Sequence, residues 1–270
     1  MTQYWQGKVV VITGGSRGFG KALTRALATG GATCVLAARD PEALKHACDE
    51  LADLPGQAVS IPTDLTDDDS VAELFAEVRQ RYGRLDGLFN VAGVSARGEA
   101  LETSIDDYLC SFDLNVLSVV RTTRQAVDLL RQSKGHVVNI GSLASKSASK
   151  WIGPYATSKF ALAGLTHQLR LELEADGVHV LLVCPGPITR EGTQDRYTDQ
   201  AADLPEEARL PGAGVKVKTI DPVWLAGRVL EACQRRQAEI VAPWKARVLF
   251  SIAQLSPAWG DWLLRKFTSK

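Results

Sequence analysis

An apolar run near the N-terminus leads into a glycine-rich loop. The segment Lys8–Thr13 is short and β-branched, and Gly14, Gly18 and Gly20 follow it in a G-x-x-x-G-x-G spacing before a helical pattern begins. Such a run predicts a central strand of a parallel sheet. Where a strand enters a helix through glycines, backbone N–H groups and the helix dipole can face a phosphate. The spacing departs from G-x-G-x-x-G, but the junction favours dinucleotide binding over an ordinary βα turn.

Strands and helices alternate along the rest of the chain. Repeated βα units imply a doubly wound sheet with right-handed crossovers. We therefore predict an α/β fold over residues 1–270 as one domain: a single Rossmann-type doubly wound parallel sheet with helices on both faces and an extra C-terminal helical segment over 243–270. Further strands are expected at Ala32–Ala37, Ala58–Pro62, Leu85–Asn90, His136–Ser142, His179–Cys184 and Ala238–Ala242.

The end of the second predicted strand bears on the cofactor. Arg39 stands where an NAD enzyme usually places an acidic residue, and an arginine there accommodates the 2′-phosphate of NADP. Arg17, in the glycine loop, supplies a second guanidinium suited to phosphate contacts. NADP(H) is therefore the predicted cofactor. The alternatives are that Arg39 is a solvated charge and that Asp40 only caps the helix starting at Pro41.

Ser142, Tyr155 and Lys159 form the candidate catalytic group. If Tyr155 opens a helix, Lys159 lies one turn further on the same face. A nearby positive charge lowers a tyrosine pKa from about 10, which makes the phenol a usable general acid or base. Ser142, delivered from the end of the preceding strand, could hold a carbonyl oxygen against the phenol. Tyr-x-x-x-Lys alone is a weak pattern, but in this context it predicts carbonyl reduction or alcohol oxidation.

Other polar positions fall at predicted strand ends or in apolar settings. Asp64 and the loop Asn90–Gly93 lie at carboxyl ends of strands, where ligands gather, so adenine and ribose contacts are plausible, although Asp64 could equally cap a helix. The turn Pro185–Ile188 is placed to contact a nicotinamide. Asn115 lies in an apolar stretch over 105–130, where it has a functional role or is a satisfied core polar group.

Composition argues against several other classes of protein. Lys+Arg and Asp+Glu number 31 each, so no broad basic field predicts nucleic-acid binding. Five scattered cysteines without a C-x-x-C pair fit free thiols in a reducing compartment, and the four histidines have no metal-ligand spacing. No metal site is predicted, and His136, His167 and His179 are assigned no chemistry. The N-terminus lacks the pattern of a signal peptide, so a cytoplasmic location is expected.

Over nearly the whole chain these residues resemble the classical short-chain dehydrogenase/reductase family. The matches are Thr13-Gly14-x-x-x-Gly18-x-Gly20, Asp64, Asn90-Val-Ala-Gly93, Asn115, Ser142, Tyr155-x-x-x-Lys159 and Pro185-Gly186, in family order and spacing. The resemblance implies Tyr155 as proton donor or acceptor and Ser142 as the anchor of the carbonyl or alcohol. Lys159 would bind the nicotinamide ribose and lower the tyrosine pKa, and Asn115 would hold a water in the proton relay.

The resemblance also implies which residues contact the cofactor, and two departures from the family pattern qualify it. The Asn-Ala-Gly triplet reads Asn90-Val-Ala-Gly93, and Arg190 replaces a threonine often found after the Pro-Gly turn, with Thr189 just before it. Either Thr189 or Arg190 is left to contact the nicotinamide. The expected cofactor-binding residues are Thr13, Gly14, Ser16, Arg17, Gly18, Phe19, Gly20, Arg39, Asp64, Leu65, Asn90, Ala92, Gly93, Tyr155, Lys159, Pro185, Gly186 and Ile188.

Two C-terminal segments bear on the substrate. Residues 189–221 are polar and weakly periodic, and in this family that region is a substrate lid. The aromatic tail from 243 resembles the hydroxysteroid-dehydrogenase-like branch, in which a C-terminal helical segment packs near the substrate cleft or a partner subunit. Its apolar runs are too short to span a bilayer. Core or dimer packing, a wall for a hydrophobic substrate and membrane-surface association all stay open.

The leading hypothesis is an NADP(H)-dependent oxidoreductase acting on a ketone or secondary alcohol with substantial apolar surface. The rivals are a 3-oxoacyl carrier-protein reductase and a non-catalytic NADP-binding sensor or scaffold. The family commonly forms dimers or tetramers through the Asn115 and Tyr155 helices, so a homodimer or homotetramer is expected. Ala156, Ala161, Ala163 and Gly164 could permit that close helix packing, or could pack against the chain's own sheet.

Overall fold

The computed structural model describes residues 2–189, 201, 204–210, 213 and 217–268. Within these residues one sheet has seven parallel strands in the order β3-β2-β1-β4-β5-β6-β7. The strands are Val9–Thr13 (β1), Thr33–Ala38 (β2), Gln57–Pro62 (β3), Gly87–Asn90 (β4), His136–Ile140 (β5), His179–Pro185 (β6) and Glu239–Ala242 (β7). The predicted Rossmann-type parallel sheet is confirmed.

Helices connect the strands and extend beyond the last one. They are Thr2–Trp5 (α1), Gly18–Thr29 (α2), Pro41–Asp49 (α3), Asp68–Tyr82 (α4), Ile105–Phe112 (α5), Ser118–Ser133 (α6), Gly153–Glu172 (α7), Glu206–Arg209 (α8), Pro222–Gln234 (α9), Lys245–Leu255 (α10) and Pro257–Thr268 (α11). A π-helical turn over Asp113–Leu117 separates α5 from α6, so the amphipathic stretch at 105–130 is not one regular helix. The strand expected to reach Ser142 ends at Ile140.

Alternate residues of the central strand face two separate cores. Val10 and Ile12 pack on one side of the sheet with apolar residues of α2 and α9, and Val11 packs on the other side with those of α4 and α6. This follows from the two-residue repeat of a strand covered by helices on both faces. All five residues of β1 are buried, as the wholly apolar run predicted.

The order in which the chain adds strands to the sheet reverses between β1 and β4, although all the strands stay parallel. From β1 the chain adds β2 and then β3 on one side, after which β4 pairs with the opposite edge of β1. In such sheets the loops leaving the two strands diverge at this point, and a crevice forms outside their carboxyl ends. The fold therefore places the glycine loop and the Asn90–Gly93 loop beside one crevice.

At the opposite, amino-terminal edge of the sheet, buried polar side chains form a hydrogen-bonded chain. Tyr4 Oη lies 2.7 Å from His136 Nε2, His136 Nδ1 lies 2.9 Å from His179 Nδ1, and His179 Nε2 lies 2.7 Å from the Gln237 carbonyl. Because a carbonyl only accepts, His179 Nε2 donates to Gln237. A neutral imidazole has one donor and one acceptor nitrogen, so His179 Nδ1 accepts. His136 Nδ1 donates to His179, and Tyr4 donates to His136. The chain ties α1 to β5, β6 and the turn before β7.

Burial keeps both of these histidines neutral. Burial, and next the neighbouring His179, lower the pKa of His136 to about 3, and burial also lowers the pKa of His179. The Cys233 sulfur lies within 4.8 Å of the histidine nitrogens, and burial raises the pKa of its thiol. The ring nitrogens are already engaged in hydrogen bonds, so this cluster is accounted for as a structural element.

The lowered pKa of His136 predicts a loss of stability in acid. A histidine whose pKa is lower in the folded state than in the unfolded state makes its full contribution to stability above the unfolded pKa, near 6.5. That contribution is lost as the pH falls toward the folded pKa of about 3. We expect His136 to make the free energy of unfolding fall by about 1.4 kcal/mol per pH unit over this range. Urea denaturation at several pH values between 7 and about 4 measures this slope.

His136→Phe is the informative variant. It should be about 1–3 kcal/mol less stable at neutral pH, because Tyr4 and His179 lose a buried partner, yet its stability should depend less steeply on acid. His167→Phe, at an exposed position on α7, is the matched control and should keep the wild-type slope. An unchanged slope in His136→Phe would contradict the assignment.

Candidate active site

In the loop after β1, glycine is required where main-chain atoms come too close together to leave room for a side chain. Gly14 has φ +66°, and a Cβ on Gly20 would lie 2.1 Å from the Gly14 carbonyl oxygen. Helix α2 starts at Gly18, and its N-cap residue Arg17 makes no side-chain capping bond. The first amides of α2 are therefore oriented toward the crevice without a side-chain acceptor, as a site for a diphosphate requires.

The Thr13 hydroxyl joins this loop to the one after β4. Its Oγ1 accepts from the Val91 amide at 3.0 Å and the Ala92 amide at 3.2 Å, and donates to the Phe89 carbonyl at 3.4 Å. Gly14 lies close enough to Ala92 that a Cβ would approach the Ala92 Cα to 3.1 Å. The structure thus brings two predicted cofactor loops together at the switch point of the sheet.

Three predicted cofactor residues direct their side chains elsewhere. Phe19 and Leu65 are buried in the two hydrophobic cores. Asn90 is 4% exposed, donates from Nδ2 to Asn139 at 2.9 Å and accepts from the Thr122 hydroxyl at 2.9 Å. Any contact of these three residues with a cofactor therefore falls to main-chain atoms. Ser16, also buried, stays in the glycine loop.

The two predicted phosphate-binding arginines lie in neighbouring loops, Arg39 just after β2 and Arg17 in the glycine loop after β1. Arg39 is exposed, whereas Arg17 forms an ion pair with Asp40, which also accepts from the Ala43 amide at 3.0 Å and caps α3. Asp40 therefore caps α3, the role that the alternative interpretation of this position gave it. Its ion pair with Arg17 was not anticipated, because a contact between different loops leaves no local sequence signal.

Asp64 lies in the turn between β3 and α4. Its Oδ1 accepts from the Thr66 amide at 2.9 Å and the Thr66 hydroxyl at 2.7 Å, and these bonds, with weaker contributions from Arg39 and Arg121, lower the pKa of Asp64. Asp67, not Asp64, caps α4. The Asp64 carboxylate therefore stays ionised beside the Arg39 charge.

Asn115 is the most heavily bonded of the candidate residues. It is 1% exposed and lies in the π-helical turn; Oδ1 accepts from the Val94 amide at 2.9 Å, and Nδ2 donates to the Val94 carbonyl at 3.0 Å and to Ser158 Oγ at 2.9 Å. A Cβ on Gly93 would lie 2.8 Å from Asn115 Oδ1. Both amide hydrogens are thus committed, so a relay role falls to the main-chain carbonyl or to the second lone pair of Oδ1.

Lys159 is buried next to the same loop. It is 5% exposed, its Nζ donates to the Ile140 carbonyl at 2.8 Å, and Nζ lies 5.8 Å from the centre of the Tyr155 ring. Burial lowers the pKa of Lys159 to about 8. The ammonium form therefore predominates at neutral pH, and the side chain loses its proton as the pH rises through about 8.

Ser142 and Tyr155 meet at the wall of one cavity of about 880 Å³. Ser142 Oγ accepts from the Ala144 amide at 3.1 Å in the turn after β5, which leaves its O–H able to donate toward the cavity. Tyr155 is the third residue of α7, because Gly153 and Pro154 begin the helix. Lys159, one turn later, also lines this cavity, so the structure brings together all three members of the predicted group.

The turn after β6 closes another side of the cavity. Pro185, Gly186, Ile188 and Thr189 all line it. Gly186 donates to the Ala242 carbonyl at 2.7 Å, and Thr189 donates from its amide to the Ile220 carbonyl at 2.9 Å. Thr189 is therefore placed at the site, whereas Arg190 lies outside the described residues.

Sequence reasoning missed Arg97. This residue is 8% exposed, and its guanidinium donates to the Ala208 carbonyl at 2.7 Å and the Leu210 carbonyl at 3.2 Å. It thereby fastens the described part of the expected lid, around α8, to the loop after β4. Much of the segment 189–221 lies outside the described residues. No pattern around Arg97 marks it, because the Ala208 and Leu210 carbonyls lie more than a hundred positions away in the sequence.

The tail supplies the remaining wall. Helices α10 and α11 form a hairpin, and its cavity-lining side chains are mainly apolar: Trp244, Ala246, Val248, Leu249, Phe250, Ala253 and Leu263. The cavity therefore combines a polar end, with Ser142, Tyr155 and Lys159, and an apolar body. Among the described residues, no helix is both long and apolar enough to cross a membrane.

Several known proteins are similar to this chain in sequence or in fold. The ketoacyl reductase HetN of Nostoc sp. is 28% identical over 268 residues, which cover 97% of this chain and 89% of that protein. An alcohol dehydrogenase of Thermococcus sibiricus, solved with 5-hydroxy-NADP, has a TM-score of 0.74 at 25% identity and covers 87% of this chain and 96% of its own. A short-chain dehydrogenase/reductase of Burkholderia phymatum, solved with NAD, has a TM-score of 0.80 at 26% identity, covering 94% and 95%.

The family model described as short chain dehydrogenase matches residues 8–201. That range begins just before the glycine loop and includes Asn115, Ser142, Tyr155 and Lys159. Together with the parallel sheet and the joint cavity, the match shows that this chain belongs to the short-chain dehydrogenase/reductase family of oxidoreductases.

Proposed function

We propose that this protein is an NADP(H)-dependent oxidoreductase that interconverts a secondary alcohol and a ketone with substantial apolar surface. The observation that carries the proposal is the shared cavity, where Ser142 and Tyr155 face an apolar chamber and Lys159 lies buried behind the phenol. The glycine loop, the uncapped start of α2 and Gly93 provide the close backbone approaches that a dinucleotide needs. The residues present therefore fit a nicotinamide cofactor.

The chain's own residues handle the oxygen of the substrate. When bound, the nicotinamide supplies the hydride to the carbonyl carbon or accepts it from the alcohol. Ser142 donates a hydrogen bond to the substrate oxygen, and Tyr155 gives it a proton in reduction or removes one in oxidation. The Lys159 ammonium, held by the Ile140 carbonyl, stabilises the phenolate that this transfer leaves behind.

The preference for NADP(H) rests on Arg39. Its guanidinium is exposed at the end of β2 and close enough to Asp64 to influence that carboxylate. Asp40, the acidic side chain nearby, is engaged by Arg17 and by the start of α3. A phosphate on the adenosine ribose would meet the exposed Arg39 guanidinium. It would also meet Arg17, which would leave Asp40 to bind the phosphate.

An acyl thioester is the competing substrate class. The similarity to a ketoacyl reductase favours it, and a long acyl chain would also fit an apolar chamber. A ketone and a 3-oxoacyl thioester present the same carbonyl to Ser142 and Tyr155. Turnover of a panel containing both, with NADPH, separates the two classes.

The outer face formed by α5 and α7 suits a second subunit. Ile105, Leu109 and Phe160 are exposed there, and nothing lies within 4 Å of the position that a Cβ on Gly164 would take. Ala156, by contrast, is buried against its own subunit beside Ile152. We therefore place the homodimer or homotetramer interface on these two helices.

Tyr155→Phe tests the catalytic assignment. Removing the phenol oxygen should lower kcat by about 10²–10⁴-fold, because the proton transfer loses its donor, while NADPH binding persists. Stopped-flow turnover and fluorescence titration of NADPH measure the two effects. Tyr82→Phe, at the end of α4, is the control and should keep full activity. Unchanged biological activity in Tyr155→Phe, with intact cofactor binding, would move the assignment to a non-catalytic sensor.

Arg39→Ala tests the cofactor. We expect the Kd of NADPH to rise about tenfold or more, since a charge-assisted contact to phosphate contributes roughly 1.5–3 kcal/mol. The Kd of NADH should stay nearly constant. Arg79→Ala removes an exposed arginine from α4 and should change neither value. Wild-type protein that binds NADH as tightly as NADPH would contradict the preference.

Leu249→Asn tests the apolar wall. The polar amide should raise KM for a large apolar ketone by about tenfold, because it must be desolvated, while kcat and the KM of a small ketone change little. Leu255→Asn is the matched control: it lies on the same helix, is 83% exposed and does not line the cavity. Equal effects of the two substitutions would argue against a wall at Leu249.

A further inference from the structure

The hairpin of α10 and α11 exposes large apolar side chains, some at the rim of the cavity and some outside it. Trp244, Val248 and Leu255 follow the spacing of one helical face and are 70%, 53% and 83% exposed, and Trp259 and Trp262 on α11 are 63% and 55% exposed. Large side chains of this kind are costly to leave in water when they cluster. The cluster needs a partner.

Packing inside the hairpin keeps this face outward. Gly260 lies against Ala253 so closely that a Cβ would sit 2.7 Å from the alanine Cβ, and Ala246 is buried. Gly260 and Ala253 thus form a close contact between the helices, and Leu255, Trp259 and Trp262 are exposed. Since the two helices touch at a position with no spare room, rotating either one to bury its tryptophans would break the contact.

Basic residues outnumber acidic ones in the hairpin. Between residues 243 and 268 the chain carries Lys245, Arg247, Arg265 and Lys266, and its one acidic residue is Asp261. Lys266 Nζ lies 5.2 Å from the centre of the Trp262 ring, so a cation and an indole occupy the same part of the surface. The whole chain is neutral, which makes this excess local.

We propose that the outer face of the α10–α11 hairpin is a docking surface for an anionic lipid bilayer. Tryptophan prefers the boundary between water and acyl chains, and basic residues beside an apolar face are attracted to acidic headgroups. No described helix can cross a membrane, so the contact is peripheral. A second copy of the chain is the poorer occupant, because two faces with the same net positive charge would repel each other.

Docking would set the cavity next to the lipid. Trp244 and Val248 belong both to the exposed face and to the cavity wall, so the apolar chamber opens beside the docking surface. An apolar substrate dissolved in the bilayer would then reach the cavity without crossing water. This consequence rests on the proposed function, whereas the docking itself does not.

Vesicle co-sedimentation of the full chain tests the proposal without any turnover. The probes are phosphatidylcholine vesicles with and without about 30% phosphatidylglycerol, at about 0.1 M and about 0.5 M salt. We expect at least a tenfold larger partition coefficient on the anionic vesicles at the lower salt. The double variant Trp259→Ala with Trp262→Ala should lose about tenfold or more in partition, and Arg247→Gln with Lys266→Gln should lose severalfold.

Matched controls separate a local surface from general stickiness. Trp224→Ala removes a tryptophan that is 51% exposed on α9, and Lys45→Gln removes an exposed lysine from α3; both should bind like wild type. Equal binding to neutral and anionic vesicles, or equal losses in the control and hairpin variants, would overturn the proposal. The proposal would also be overturned if the protein bound no vesicles and formed a dimer in sedimentation equilibrium, and if the double tryptophan variant of the hairpin dissociated that dimer. Loss of turnover alone bears only on the proposed function.

Discussion

The side-chain amide of Asn115 holds the two halves of the active site together. One oxygen and one nitrogen clamp both main-chain groups of Val94 in the loop after β4, and the same nitrogen reaches Ser158 on the helix that carries Tyr155 and Lys159. Buried polar networks of this kind have few alternative arrangements, because each unsatisfied group would be costly. One asparagine therefore ties the loop after β4 to α7, the helix that carries Tyr155 and Lys159.

Gly93 shows why this clamp needs its neighbours. A side chain there would meet Asn115 Oδ1 at 2.8 Å and Lys159 Nζ at 3.5 Å, so the loop, the π-helical turn and the lysine can converge only around glycine. The π-helical turn itself is the kind of irregularity that recurs at functional sites, since it places a side chain where a regular helix would not. The three features depend on one another.

Most strands were predictable from the sequence because they are short apolar runs. The exception is β3, which contains Gln57 and Ser60 and buries only Ile61; its place in the alternation of strands and helices indicated it. The Ser142–Tyr155–Lys159 group was predictable for a similar reason, as its spacing along one strand end and one helix is local. The π-helical turn, the Arg17–Asp40 ion pair, the hold of Arg97 on α8 and the Tyr4–His136–His179 chain were not predicted. Each of these features joins residues far apart in sequence or depends on packing between elements. Contacts of these two kinds leave no periodic pattern in the sequence.

The two edges of the sheet use polar residues in opposite ways. At the amino edge, His136 and His179 are buried, neutral and bonded on every ring nitrogen, so they add stability and have no capacity left for a ligand. At the carboxyl edge, Arg39 is exposed and the first amides of α2 have no side-chain cap, so these groups can still donate hydrogen bonds to a ligand. A ligand that binds the folded state through these groups would stabilise the fold. The hairpin repeats this division: Gly260 and Ala253 are used in packing between its helices, and Trp259 and Trp262 are exposed.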